Sequence, residues 1–119
     1  MNNIDNEIKN NSIKSLYSTF KKLEKAYIKM NNEEKNTTVV KKRRNSIKIG
    51  LDSLQNDWKN QGFNYSQKDI VLAIEVLYSL KPSIQKQIDK VDGFSSQKTL
   101  NERRLKAINL SIKSLEKRR

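Results

Sequence analysis

The feature that most constrains this chain is the stretch Asp69–Leu80, Asp-Ile-Val-Leu-Ala-Ile-Glu-Val-Leu-Tyr-Ser-Leu, where apolar residues occupy almost every side. Wound into a helix at about 100° per residue, Ile70, Ala73, Ile74, Leu77 and Leu80 share one broad face. Val71, Leu72, Val76 and Tyr78 cover most of the remainder, and Lys68, Glu75 and Ser79 leave only a narrow polar strip. A helix apolar nearly all round belongs inside a core or an interface. A short apolar run also suits a buried strand, because it has no decisive period. Its length favours a helix, as does Ser66-Gln67-Lys68-Asp69, a capping pattern with an acid at the third helical position. The run falls short of the roughly 20 apolar residues that a membrane-spanning helix needs.

Few apolar residues remain elsewhere. Hydrophobic side chains make up 34% of the sequence and mean hydropathy is −0.87, so the core is expected to be thin. A chain of 119 residues reads as a single helical domain over 1–119. It contains neither cysteine nor histidine, which removes disulfides, thiolate metal sites, the usual general base and the usual zinc ligand. Met1-Asn2-Asn3-Ile4-Asp5 lacks the apolar region of a secretory leader, so a cytoplasmic location is expected.

Around the apolar run the chain reads as helices. Ile13, Leu16, Phe20, Leu23, Tyr27 and Met30 recur at 3-4-3-4-3 spacing, a coiled-coil-like seam within a helix over 1–31. The seam serves either packing within the chain or a homo-oligomer. Asn31 with Glu34 reads as the cap of a second helix over about 33–60, with Val40, Ile47, Leu51, Leu54 and Trp58 inward. Gly50 is a candidate kink, and Gln61-Gly62 the expected end. Pro82 suits the first turn of a further short helix carrying Ile84, Ile88 and Val91, with Phe94 tucked back into the core. Thr99-Leu100-Asn101-Glu102 reads as the cap of a last helix, whose inner face is Leu105, Ile108, Ile112 and Leu115. The expected fold is therefore all-α, a small bundle of four to five helices around a central apolar helix at about 67–80.

Charge points to function. The net charge is +12, and residues 63–92 contribute none of it, whereas residues 93–119 contribute +6. A surface of one sign attracts anionic partners. The bland explanation is an AT-rich bacterial genome, whose codon bias favours Asn, Lys and Ile on a solvated surface. Two constellations stand out. Lys41, Lys42, Arg43, Arg44 and Lys48 lie in a stretch with no acid from Asn36 to Leu51, and Lys41, Arg44, Lys48 and Lys59 line one flank of their helix. Arg103, Lys106, Lys113 and Lys117 share the outward face of the last helix, with Leu110 stranded among them. Both suit phosphate oxygens or an acidic protein. The alternative for each is a solvated helix face. Placing a helix-turn-helix at Gly50 puts polar Asn56 and Lys59 where burial is required, so that motif is not supported.

No phosphate-binding glycine loop, nucleophile–base pair or paired-acid motif occurs, so no catalytic, cofactor or metal residues are expected, and no small-molecule substrate or membrane. The expectation is a basic accessory or regulatory protein of phage, plasmid or mobile-element type that binds nucleic acid. Its rivals are a protein-only module that modulates a transcription, replication or assembly factor, and a helical scaffold working through the 13–30 seam.

Overall fold

The computed structural model describes residues 4–119. Among them are four helices and no strand: α1 (Asn6–Asn32), α2 (Thr38–Lys59), α3 (Gln67–Asp89) and α4 (Ser96–Glu116). The helical course expected for residues 1–3 lies outside the described residues.

The helix ends follow local hydrogen-bond chemistry. The first amides of a helix have no partner within it, and a side-chain oxygen just upstream supplies one. Asp5 accepts from the Ile8 amide at 2.9 Å, Ser66 from the Asp69 amide at 3.1 Å and Ser95 from the Lys98 amide at 3.0 Å. The Ser66 cap matches the pattern read from the sequence. The Thr99 cap does not: Ser95 takes that role one turn earlier, and the Thr99 hydroxyl donates back to the Ser95 carbonyl at 3.2 Å. The expected restart at Asn31 is also corrected. Here α1 runs on to Asn32, Glu34 takes a left-handed conformation (φ 58°), and α2 begins at Thr38. At the far end Asn60, not Gly62, adopts the left-handed cap (φ 55°).

Pro82 starts no fifth helix. It lies inside α3, which continues unbroken to Asp89. Proline deletes one backbone bond and crowds the carbonyl four residues earlier. Both Pro82 and Tyr78 sit on the exposed side of α3, where water reaches the freed carbonyl. The buried line Ile70, Ala73, Ile74 and Leu77 therefore extends without interruption to Ile84 and Ile88. Phe94 does not return to the core. It stands 90% exposed beyond the Gly93 turn.

The helices alternate in direction. Arg44 meets Glu24 and Lys9 meets Trp58, so α1 and α2 are antiparallel. Gln67, at the start of α3, donates to the carbonyl of Arg118, just beyond the end of α4. Helices α2 and α4 run parallel, pairing Gly50 with Ser111 and Ser53 with Ser114. Each of these two packs on all three other helices, whereas α1 and α3 do not touch among the described residues. The section is a rhombus with α2 and α4 on its short diagonal. The molecule is correspondingly flat, 46 × 41 × 20 Å.

This arrangement moves the apolar run away from its expected central place. Helix α3 sits at one acute corner, with Leu72 and Tyr78 left 41% and 48% exposed. The centre belongs to α2 and α4, which meet through Ser46, Gly50 and Ser53 on one side and Ala107, Ser111 and Ser114 on the other, all buried. Gly50 does not split α2. A Cβ there would lie 3.0 Å from Ser111 Cβ and 3.3 Å from a Leu77 methyl, so the bare backbone permits the approach.

The same interface closes with a polar ring. Arg118 donates from Nε to Ser53 Oγ at 2.7 Å, and Ser114 Oγ donates to Asp57 Oδ2 at 2.6 Å. The Ser114 proton being committed to the carboxylate, the 2.5 Å bond between the two hydroxyls runs from Ser53 to Ser114. Arg118 Nη2 then closes the circuit on Asp57 Oδ1 at 2.9 Å. Its guanidinium also lies 4.2 Å from the Phe63 ring centroid.

Substitutions at three positions test this packing. Leu77 is fully buried, so Leu77→Ala is expected to cost about 2–5 kcal/mol by urea unfolding, and an unchanged midpoint would remove it from the core. Gly50→Leu forces α2 and α4 apart and is expected to cost about 1–3 kcal/mol in the same assay. Arg118→Ala removes the guanidinium from Ser53 and Asp57 and is expected to cost about 1–3 kcal/mol. Arg118→Lys should recover little of it, because an ammonium reproduces neither the fork nor the stacking.

Candidate functional site

The structure divides the Lys41–Lys48 run. Lys41, Lys42 and Arg43 project into solvent from the first turns of α2. Arg44 turns inward: it reaches Glu24 at 3.1 Å, lies 4.5 Å from the Tyr27 ring centroid and bonds Asn45 Oδ1 at 3.1 and 3.3 Å. Lys48 spans one helical turn to both oxygens of Asp52, at 3.0 and 2.9 Å. Asp52 also accepts from the Tyr65 hydroxyl at 2.5 Å. Burial first, and then the Asp52 carboxylate, raise the Tyr65 hydroxyl well above the usual tyrosine range. Arg44 thus ties α1 onto α2, and Asp52, which pairs with Lys48 one turn away, ties the 60–66 connection to α2 through Tyr65. Lys59 remains exposed at the other end of that helix.

On α4, Arg103, Lys106 and Lys113 are exposed, and Lys117 is exposed but 3.4 Å from Asp57. Leu110 is not stranded. It packs half-buried against the core, beside a hollow walled by Ile4, Leu54 and Trp58. The seam of α1 is spent within the chain. Leu16 is fully buried, Ile13, Phe20 and Leu23 pack on the core, Tyr27 lies beneath Arg44, and Met30 is half-buried. Trp58, Phe63 and Tyr65 also lean on the core, with Phe63 and Tyr65 in tilted contact at 5.0 Å.

A third cationic assembly forms between α1 and α4, which periodicity within either helix does not reveal. Lys14 and Lys22 of α1 meet Arg103 and Arg104 of α4 around one hollow. Its signal lay in two stretches far apart in the chain: no acid occurs from Ile8 to Leu23, and none from Arg103 to Leu115. Only the antiparallel packing of α1 on α4 joins them. A larger hollow, about 480 Å³ along α2, differs in character, because Glu24 and Asp69 line it together with Lys42, Arg44 and Lys48.

Among the described residues, no group of three acidic, histidine or cysteine side chains is placed to hold a metal ion, and no helix is long and apolar enough to cross a membrane. Comparison of the chain with protein-family models, with curated proteins and with solved structures returns no match.

Proposed function

We propose that this protein is a non-enzymatic accessory or regulatory factor that binds nucleic acid through exposed cations of α2 and α4. The supporting observation is how the carboxylates are used. Glu24, Asp52 and Asp57 are paired with Arg44, Lys48 and Arg118 within the chain. Lys41, Lys42, Arg43, Arg103, Lys106 and Lys113 form no ion pair among the described residues and stand in solvent. Cations left unmatched raise the local potential and draw a polyanion, whose condensed counterions are released on binding. Phosphate contacts of this kind hold a backbone in place without reading bases. The reading takes the chain as one folding unit acting in the cytoplasm.

A fluorescent duplex titrated with protein at several salt concentrations checks it. If four to six of these cations meet phosphates, log K falls against log salt with a slope of about −4 to −5. Reversing Lys41, Lys42 and Arg43 to Glu is expected to reduce affinity strongly while circular dichroism stays unchanged. Equal affinity for an acidic polypeptide would overturn the nucleic-acid reading in favour of a protein partner.

A further inference from the structure

We infer that the hollow between α1 and α4 is a phosphate-binding site. It measures about 240 Å³ and is lined by Lys14 and Lys22 from α1 and by Arg103 and Arg104 from α4. Asn11, Ser15 and Ser18 add an amide and two hydroxyls, and no carboxylate lines it. None of the four cations forms an ion pair among the described residues. Arg104, which lines the hollow, has its Nε buried with no hydrogen-bond acceptor among the described residues. Buried donors are normally matched, so this guanidinium, like the three cations beside it, has no anion to answer it within the chain.

The donor set selects the ligand class. Two guanidinium forks, two ammonium groups and two hydroxyls offer more donors than the two oxygens of one carboxylate use. A phosphate group presents three strong acceptor oxygens and about −1.5 to −2 charges, and arginine grips it bidentately. Four cations converging on one hollow repel each other until such an anion arrives. Lys41, Lys42 and Arg43 do not line the hollow, and its residues other than Arg103 belong to neither cationic stripe of the sequence. The inference deepens the nucleic-acid reading by giving one backbone phosphate a defined seat, and a free phosphate has the same chemistry.

The experiment compares the intact protein with Lys22→Gln, Arg104→Gln and, as a control on α3, Lys86→Gln. Thermal unfolding is followed in sodium phosphate and in sodium chloride of equal ionic strength. A ligand that binds only the folded state raises the melting temperature. Phosphate is expected to raise it for the intact protein and Lys86→Gln beyond the effect of chloride, and less or not at all for the two groove variants. Lys22 is exposed, so its variant tests the site even if Arg104→Gln folds poorly. No advantage of phosphate over chloride, or equal shifts in all four proteins, overturns the site. Duplex titration then separates the sources. Loss of one charge-assisted contact is expected to weaken duplex binding about ten- to a hundredfold in the groove variants if the backbone supplies the phosphate. A phosphate effect confined to the groove, without tight duplex binding by any variant, assigns the seat to a free phosphate and overturns the nucleic-acid reading alone. Tight duplex binding that the groove variants leave unchanged, with no phosphate effect, overturns the seat and leaves that reading standing.

Discussion

The close approach of α2 and α4 is the constraint on which the rest of the fold depends. Four equal cylinders in a square bundle leave both diagonals open. Here one diagonal is closed, because Ser46, Gly50 and Ser53 face Ala107, Ser111 and Ser114 at matching 4-3 spacings. Small side chains let two backbones come near, and the bare Gly50 lets Ser111 and Leu77 occupy the space a methyl would take. Closing that diagonal pushes α1 and α3 apart and flattens the molecule to 20 Å. A flat bundle has less interior than a square one. This suits a chain with few apolar residues, because each needs only one layer of neighbours.

A contact built from serines requires hydrogen-bond closure. Buried hydroxyls are costly unless each finds a partner. Ser53, fully buried, and Ser114 solve this together: the two hydroxyls bridge a guanidinium to a carboxylate and complete a ring with Arg118 and Asp57. Ser111 donates to the Ile108 carbonyl of its own helix at 2.8 Å. The ring also fixes register. Sliding α4 by one turn against α2 would separate every pair in it and leave charges unmatched at the edge of the core.

The same internal pairing shapes the outer surface. The chain carries 25 basic and 13 acidic side chains, and several of its acids are consumed inside. Glu24 holds Arg44, Asp52 holds Lys48 and Tyr65, and Asp57 holds Arg118. The cations left over gather where acids are missing from the chain, on the solvent side of α1 between residues 8 and 23 and along α4 between 103 and 115. Each such pair takes one cation with its carboxylate, so the net charge of +12 remains with the groups outside these pairs.

Much of the secondary structure was legible in the residues themselves. Local spacing alone determined the helical class, the inward faces of α1 and α4, the Ser66 cap and the membership of Ile70, Leu77, Ile108 and Leu115 in the core. Helix ends were less legible, because Ser95 and Thr99 both offer capping oxygens and local pattern does not rank them. Pro82 looked like a boundary because its cost is read locally, whereas its place on the solvent side of α3 is a tertiary fact. Hydrophobicity placed Asp69–Leu80 at the centre, but packing centred the fold on small residues that a search for apolar stripes ignores. The basic runs could be found by counting; which of their members stay free could not. Arg44 looks no different in sequence from Lys41 and Lys42, and only tertiary structure brings Glu24 to it; Lys48 has Asp52 one helical turn on, a local pair, and only the contact of Tyr65 with that carboxylate is tertiary. Likewise, the meeting of Lys14 and Lys22 with Arg103 and Arg104 exists only in the folded chain, because periodicity within one helix carries no information about the face a distant helix will turn toward it.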